Sequence, residues 1–364
     1  MKKPLSVYLD LVRFLAAMVV LLGHLSGKRF TGGLFWPVAP LMDEAVTVFF
    51  VISGFVISYV VYERREERDA YIAARASRIL SVAIPALLAT ALCDSLGRSL
   101  HPEYYAESWG FSGEQTWLQY GGALLFLNRI WYAEANVGSN LPYWSLCYEV
   151  WYYVAFGFMV FGRGKTRFFG VLGTLAICGP TIASMLPVWL FGVLAHRCCM
   201  AGRLGPKAGT VLCLSTAAGI ALYLGFGSEA DSGLLRFPAF FNRDETPHDY
   251  IIGALFAAHL VGASAASGVL SRVIMPLSRP VRWLAGATFS IYLFHLPVAQ
   301  FLTTVVAWPP NHVLTRAVVV VGTLVIVFAA AQVTERRKDL WKPLVARLLS
   351  SEPGGASARE ARAS

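Results

Sequence analysis

The apolar residues of this chain come in runs of roughly 17 to 25, the length of helix that crosses about 30 Å of hydrocarbon. No other feature constrains the fold as strongly. A backbone in lipid must satisfy its own hydrogen bonds, and runs of this length do so as helix. Composition agrees, with 56% of the 364 residues hydrophobic and only 15% charged, where a soluble domain carries about a quarter charged. The expected fold class is therefore all-α: a polytopic integral membrane protein whose helices form one bundle. Ten spans are read, at 9–25, 45–62, 79–96, 144–161, 168–184, 186–200, 208–226, 250–270, 283–307 and 317–333. The sixth is short. A further apolar piece at 117–127 is too short to span and reads as re-entrant or interfacial.

The net charge of +9 would suit a nucleic-acid binder, but its placement argues for another role. With the N-terminus taken as cytoplasmic, 23 of the 31 Lys and Arg residues fall on inner segments and 7 on outer ones, with Arg13 inside the first span. Basic loops stay cytoplasmic, so the positive charge is an orientation signal and both termini are expected inside. No nucleic-acid partner is expected. The opening "MKKPLSVYLDLVRF" lacks a small-residue cleavage site and has Arg13 in its apolar core, so the first helix is expected to be retained. The chain then divides into a membrane domain, 1–340, and a short basic tail, 341–364, whose last fifteen residues are small and polar enough for disorder. The six cysteines lie in or beside apolar runs without C-x-x-C spacing and read as small buried hydrophobes; no metal site is expected. No internal repeat is evident, which disfavours transporter folds built from duplicated halves. The long outer loops at 97–143 and 227–249 have the aromatic and acidic residues to shape an outward-facing site. Chemistry, if any, belongs to the bundle.

Ionisable residues inside a membrane are costly and mark functional sites by default. In "RFLAAMVVLLGH" ten apolar or glycine residues separate Arg13 from His24. Eleven steps along a helix return to within about 20° of the same face and rise about 16 Å. Asp10, one turn before Arg13, shares that face and would pair with it. Glu149, in "WSLCYEVWYY", His295, in "FSIYLFHLP", and Asp94 fall with His24 at or above mid-bilayer, where they would form one polar layer. A carboxylate beside an imidazole is a common way to build a general base. His259 is a further candidate without polar neighbours in sequence. Plainer readings stand beside each: Arg13 snorkelling to the headgroups, Asp94 reaching the outer headgroups, Glu149 serving a structural partner, and His24, His295 and His259 packed in the bundle. Arg75 and Arg78, at i and i+3 before the third span, serve either as positive-inside anchors or as two cations gripping a phosphate.

Taken together, these residues resemble the acyltransferase 3 family, membrane enzymes that O-acylate surface polysaccharides. "LDLVRFLAAMVVLLGH" is similar to the family's first helix, a basic residue, ten residues and then His. "AVTVFFVISGFVIS" resembles the second helix with its F-F-V-x-S-G-F core, and Arg75-x-x-Arg78 the R-x-x-R that follows. "WSLCYEVWYY" is similar to W-S-L-x-x-E, and "FSIYLFHLPV" to S-x-Y-L-x-H-x-P-V. The ordered set covers residues 9–333. The chain departs from the pattern at Thr47, where many members carry Asp before the paired Phe; at Val150, where a second acid often follows Glu149; and at "SVAIP" after Arg78.

The resemblance implies an enzyme of the inner (plasma) membrane that binds no cofactor and uses acyl-CoA, by default acetyl-CoA, as donor. The implied acceptor is a carbohydrate or a lipid-linked glycan, with membrane lipids and glycan-biosynthesis machinery as the surrounding partners. Donor phosphates would dock on Arg75, Arg78 and Arg13, near Asp10. The thioester would reach His24, with Glu149 or His295 tuning it as catalytic base; a transient acyl carrier at His24 is the other option. Two other classes stay open. A proton-coupled transporter or flippase would use the same residue types without consuming acyl-CoA, and a structural or sensory protein would tolerate loss of His24.

Overall fold

The computed structural model describes residues 1–105, 117–227 and 246–350, and all the regular structure among them is helical. The first half of the chain forms α1 (Lys3–Leu25), the short α2 (Lys28–Thr31), α3 (Met42–Tyr62), α4 (Arg68–Leu100), α5 (Trp117–Leu124) and α6 (Trp144–Phe161). The second half forms α7 (Gly164–Ala201), α8 (Pro206–Leu222), α9 (Thr246–Ala265), α10 (Ser267–Ile274), α11 (Ser278–Ala285), α12 (Thr288–Val305), α13 (Val313–Ala317), α14 (Thr323–Val333) and α15 (Trp341–Ser350). Among the described residues, seven helices are long and apolar enough to cross a membrane, and an eighth crossing is added if the bent run of α9 with α10 and α11 counts as one. The chain is thus a multi-pass membrane protein. Span 144–161 matches α6 residue for residue, yet α6 is not among the seven, since Glu149 and its tyrosines lower its hydropathy.

The spans expected at 168–184 and 186–200 lie in α7, which is two helical arms joined at a kink where Gly179 leaves helical geometry. Phe158 meets Gly170 and Arg167 meets Gly162, so the arm 164–178 runs antiparallel to α6. Tyr152 donates to the Ile182 carbonyl and the Phe156 ring packs on Trp189, so the arm from 180 onward runs parallel to α6. The chain therefore turns back at Gly179, six residues earlier than the break at Met185 in the sequence reading. Gly179 has φ +76°, and a Cβ there would stand 2.5 Å from the Trp131 Cα, so both conformation and space require glycine. Pro180 follows, unable to continue the first arm's hydrogen bonding.

The span expected at 283–307 also starts later than read. Trp283 belongs to α11, and the run from Ser267 to Ala285 turns 87° away from α9. The membrane-crossing helix begins at Thr288, where Glu335 accepts hydrogen bonds from the Phe289 and Ser290 amides at 3.0 Å each and so caps α12. The piece at 117–127 contains the eight-residue α5, and the Phe126 carbonyl just beyond it accepts from the Trp151 indole at 2.8 Å. Parts of both long outer loops, 106–116 and 228–245, lie outside the described residues, as does the tail from 351; residues 341–350 form α15.

α3 stands at the centre. Gly54 meets the Trp189 carbonyl and Gly192 meets the Val51 carbonyl, each so closely that a Cβ would come within about 2 Å. The backbones of α3 and the second arm of α7 are thereby in contact. Around them α1, α4, α6 and α12 enclose the polar residues described next. The bundle has two ends: one holds Lys3, Tyr62 and Phe161, and the other holds Leu25, Met42 and Trp144.

Candidate active site

The helices bring three of the candidate cations to one cavity. Arg13 from α1 and Arg75 and Arg78 from α4 line a space of about 90 Å³, with Ser53 from α3, Ser145, Glu149 and Tyr153 from α6, and Thr288, Phe289 and Tyr292 from α12. Arg13 lies ten residues, or about 15 Å, along α1 from Lys3, well inside the bundle. Among the described residues, the guanidiniums of Arg13 and Arg78 make no hydrogen bond and no ion pair. Arg75 lies 3.6 Å from Glu66 and stacks over the Tyr71 ring, while its Nε has no hydrogen-bond partner. Three guanidiniums thus face one cavity with most of their donors unused, the arrangement a multiply charged anion would satisfy.

Glu149 is the acid of the cavity. One of its oxygens, Oε1, accepts from Ser53 at 2.9 Å and from the Tyr153 hydroxyl. Ser53 in turn accepts from the Trp189 indole at 3.2 Å. The F-F-V-x-S-G-F core now has a physical content: Gly54 lets α3 touch α7, and Ser53 beside it orients the carboxylate. Tyr153 was legible as the i+4 neighbour of Glu149 on one helix face. Glu335, which holds the first turn of α12 at the cavity wall, was not, since 46 residues separate it from its partner.

The two histidines meet outside this cavity, toward the Leu25 end. His295 Nε2 lies 3.2 Å from His24 Nδ1. His24 Nδ1 also lies 2.8 Å from the Val20 carbonyl, and His295 Nδ1 lies 2.9 and 3.0 Å from the carbonyls of Ile291 and Tyr292. A carbonyl only accepts, so in the neutral pair both Nδ1 atoms carry the proton. His295 then presents a bare Nε2 to the His24 N–H. The remaining lone pair of His24 is at Nε2, which has no partner among the described residues.

Between cavity and histidines stands Tyr292. Its hydroxyl hydrogen-bonds Ser145 at 2.8 Å, its ring meets Phe49 edge-on, and its carbonyl faces His295. The cavity reaches Ser145 and Tyr292 but is lined by neither His24 nor His295.

The other candidates go elsewhere. Asp10 is not part of the cavity lining and forms no ion pair with Arg13, although the two share a helix face. Asp94 is fully buried and accepts from the backbone amide (2.7 Å) and hydroxyl of Ser139, fastening the 137–140 turn into the bundle rather than reaching headgroups. His259 bonds the Tyr8 hydroxyl at 2.6 Å and the Cys213 carbonyl at 3.0 Å, joining α9 to α1 and α8. The polar layer read from the sequence therefore separates into a histidine pair, a cavity acid and a loop fastener. At Thr47, where the family often has an acid, the hydroxyl donates at 2.5 Å to Asp249, so the carboxylate at this place comes from α9.

No curated protein and no solved structure matches the chain. A family model does, that of the Acyl_transf_3 acyltransferase domain, over residues 6–332, from the first turn of α1 to the last of α14. With nine-tenths of its length matched and the motif residues gathered around one intramembrane cavity and one histidine pair, the chain belongs to the acyltransferase 3 family and is a membrane acyltransferase.

Proposed function

We propose that this enzyme transfers an acyl group, by default acetyl, from cytoplasmic acyl-CoA to a hydroxyl of a carbohydrate or lipid-linked glycan on the far side of the inner (plasma) membrane. In this reading ten segments cross, both termini are cytoplasmic, and the Lys3 end faces the cytoplasm. The supporting observation is a separation of tasks: among the described residues, guanidiniums at Arg13 on α1 and Arg78 on α4 stand unbonded on one side of Tyr292, and an imidazole with an unpartnered Nε2 stands on the other.

The donor phosphates bind Arg13, Arg75 and Arg78, and the thioester passes Tyr292 as the Ser145–Tyr292 hydrogen bond opens. His24 Nε2 takes the proton of the acceptor hydroxyl as its oxygen attacks the thioester carbonyl. The resulting imidazolium is held by its single Nδ1–H, already shared between two acceptors, the Val20 carbonyl and His295 Nε2. Collapse of the tetrahedral intermediate breaks the C–S bond, and the departing thiolate recovers the proton from Nε2. The products are an ester and free CoA. His295 positions the base; Glu149, held by Ser53 and Tyr153, offsets part of the cavity's positive charge.

The test is purified protein in proteoliposomes with acetyl-CoA supplied on one side and glycan fractions on the other. Acceptor-dependent release of CoA thiol, with a matching mass increase of the glycan, is expected. Movement of glycan across the bilayer without thiol release would overturn the reading in favour of transport.

A further inference from the structure

A second, larger space lies on the flank of the bundle. Between α4 and α6 runs a groove of about 490 Å³, walled by Ile72 and Leu80 on one side and Val154 and Phe158 on the other, with Gly157 at its floor and Phe126 at its top. The groove opens sideways: Ile72, Val154 and Phe158 are 38%, 36% and 38% exposed. In a multi-pass protein those faces meet hydrocarbon. From Phe161 to Val150 the groove follows α6 for eleven residues, about 16 Å, and the hydrocarbon of one leaflet is about 15 Å deep. Its mouth, at the Lys3 end, holds Arg68 and Thr166. The Arg68 side chain is 70% exposed and, among the described residues, pairs with its neighbour Asp69.

A cation at the water end and mostly apolar walls for the depth of one leaflet, with the Phe126 ring at the far end, are complementary to a single amphiphile of matching size. We propose that this groove binds one acyl chain of an anionic glycerophospholipid from the leaflet at the Lys3 end, with the lipid phosphate at Arg68. The site is distinct from the donor cavity but shares walls with it, since Arg75 and Tyr153 line both. A seated chain packs against the residues that carry Arg75 and hold Glu149, so the groove ties the lipid environment to the cavity. This assignment does not depend on which acyl group or acceptor the enzyme uses.

The test uses the full chain in phosphatidylcholine nanodiscs with trace phosphatidylglycerol bearing a diazirine in its acyl chain, cross-links being mapped by mass spectrometry. Labelling is expected to concentrate on peptides 72–80 and 150–161 and to exceed that by a matched phosphatidylcholine probe. Gly157→Leu fills the groove: a Cβ there meets only the Tyr71 ring, at 3.5 Å. It should cut groove labelling about tenfold or more. Arg68→Gln should remove the preference for the anionic probe while leaving labelling by the neutral one. A thermal melt checks that Gly157→Leu folds, and Ala76→Leu, on the facing wall, replaces it if it does not. Unchanged labelling in a folded filled variant, labelling spread evenly over the bundle surface, an unchanged headgroup preference in Arg68→Gln, or labelling by a long-chain acyl-CoA probe but not by phospholipid would each overturn the proposal.

Discussion

The cavity at Arg13 and the pair at His24 use polar groups in opposite ways. In the cavity, two guanidiniums make no hydrogen bond or ion pair among the described residues and a third leaves its Nε unpartnered. At the pair, each Nδ1 is committed to a backbone carbonyl, and one imidazole fixes the other. Unused donors suit a charged ligand that arrives and leaves. Committed donors suit a residue that must hold one tautomer with one lone pair presented. The same family motif set produces both, and Tyr292 stands between them.

The largest expected effect is at His24. In His24→Ala and His24→Gln acyl transfer should fall by about 10²–10⁴-fold, the usual worth of a general base. Gln offers hydrogen bonds at similar reach but takes no proton near neutral pH. Measurement is turnover per mole of correctly folded protein in proteoliposomes. A well-expressed Gln variant at near wild-type rate would make the pair a packing feature and erase its contrast with the cavity.

The double variant Arg75→Ala with Arg78→Ala comes next. Each charge-assisted phosphate contact is worth about 1.5–3 kcal/mol, so apparent donor KM should rise by tens-fold or more. Insertion is checked beside it with a reporter active only outside the cytoplasm, fused after Arg347, which should stay silent. Donor KM unchanged in correctly inserted protein would reduce these arginines to orientation signals.

A smaller loss is expected at His295. His295→Leu removes the acceptor facing the His24 N–H and should lower kcat about tenfold with donor KM unchanged. His295→Gln retains an acceptor and should recover part of that loss. Equal changes in kcat and KM in both variants would mean that His295 supports the bundle as a whole rather than positioning the base.

Much of this site was legible because helix geometry is regular. The i, i+3 spacing of Arg75 and Arg78 puts both on the cavity, and α6 begins and ends where its apolar run does. Legibility failed where a decision lies between helices. A hydropathy profile sees two apolar runs in α7 but not that the reversal falls at Gly179, because Trp131 from a distant loop occupies the space. Nor does it see that 267–285 turns away from α9. The expected polar layer assumed that equal depth means contact, yet Asp94 reaches a loop amide while Glu149 reaches Ser53. Thr47 reads in one dimension as a lost acid; in the fold, Asp249 stands beside it.

The smallest expected effect is at the boundary between the two regions. The Tyr292 hydroxyl bonds Ser145 at 2.8 Å, and the cavity ends there. If that bond is only a latch, Tyr292→Phe keeps the ring against Phe49 and loses a single hydrogen bond, worth about 0.5–1.5 kcal/mol. Opening toward His24 then becomes easier, and kcat with donor KM should change by at most about two- to tenfold, kcat rising if passage is slow. Ser145→Ala removes the same bond from the other side and should reproduce the change. A proton donor at Tyr292 would behave differently: Phe would then cost at least about 10² in kcat, and Ser145→Ala would not. Steady-state kinetics on both variants separates the two outcomes. The second would move catalysis into the cavity and dissolve the division of labour between arginines and histidines.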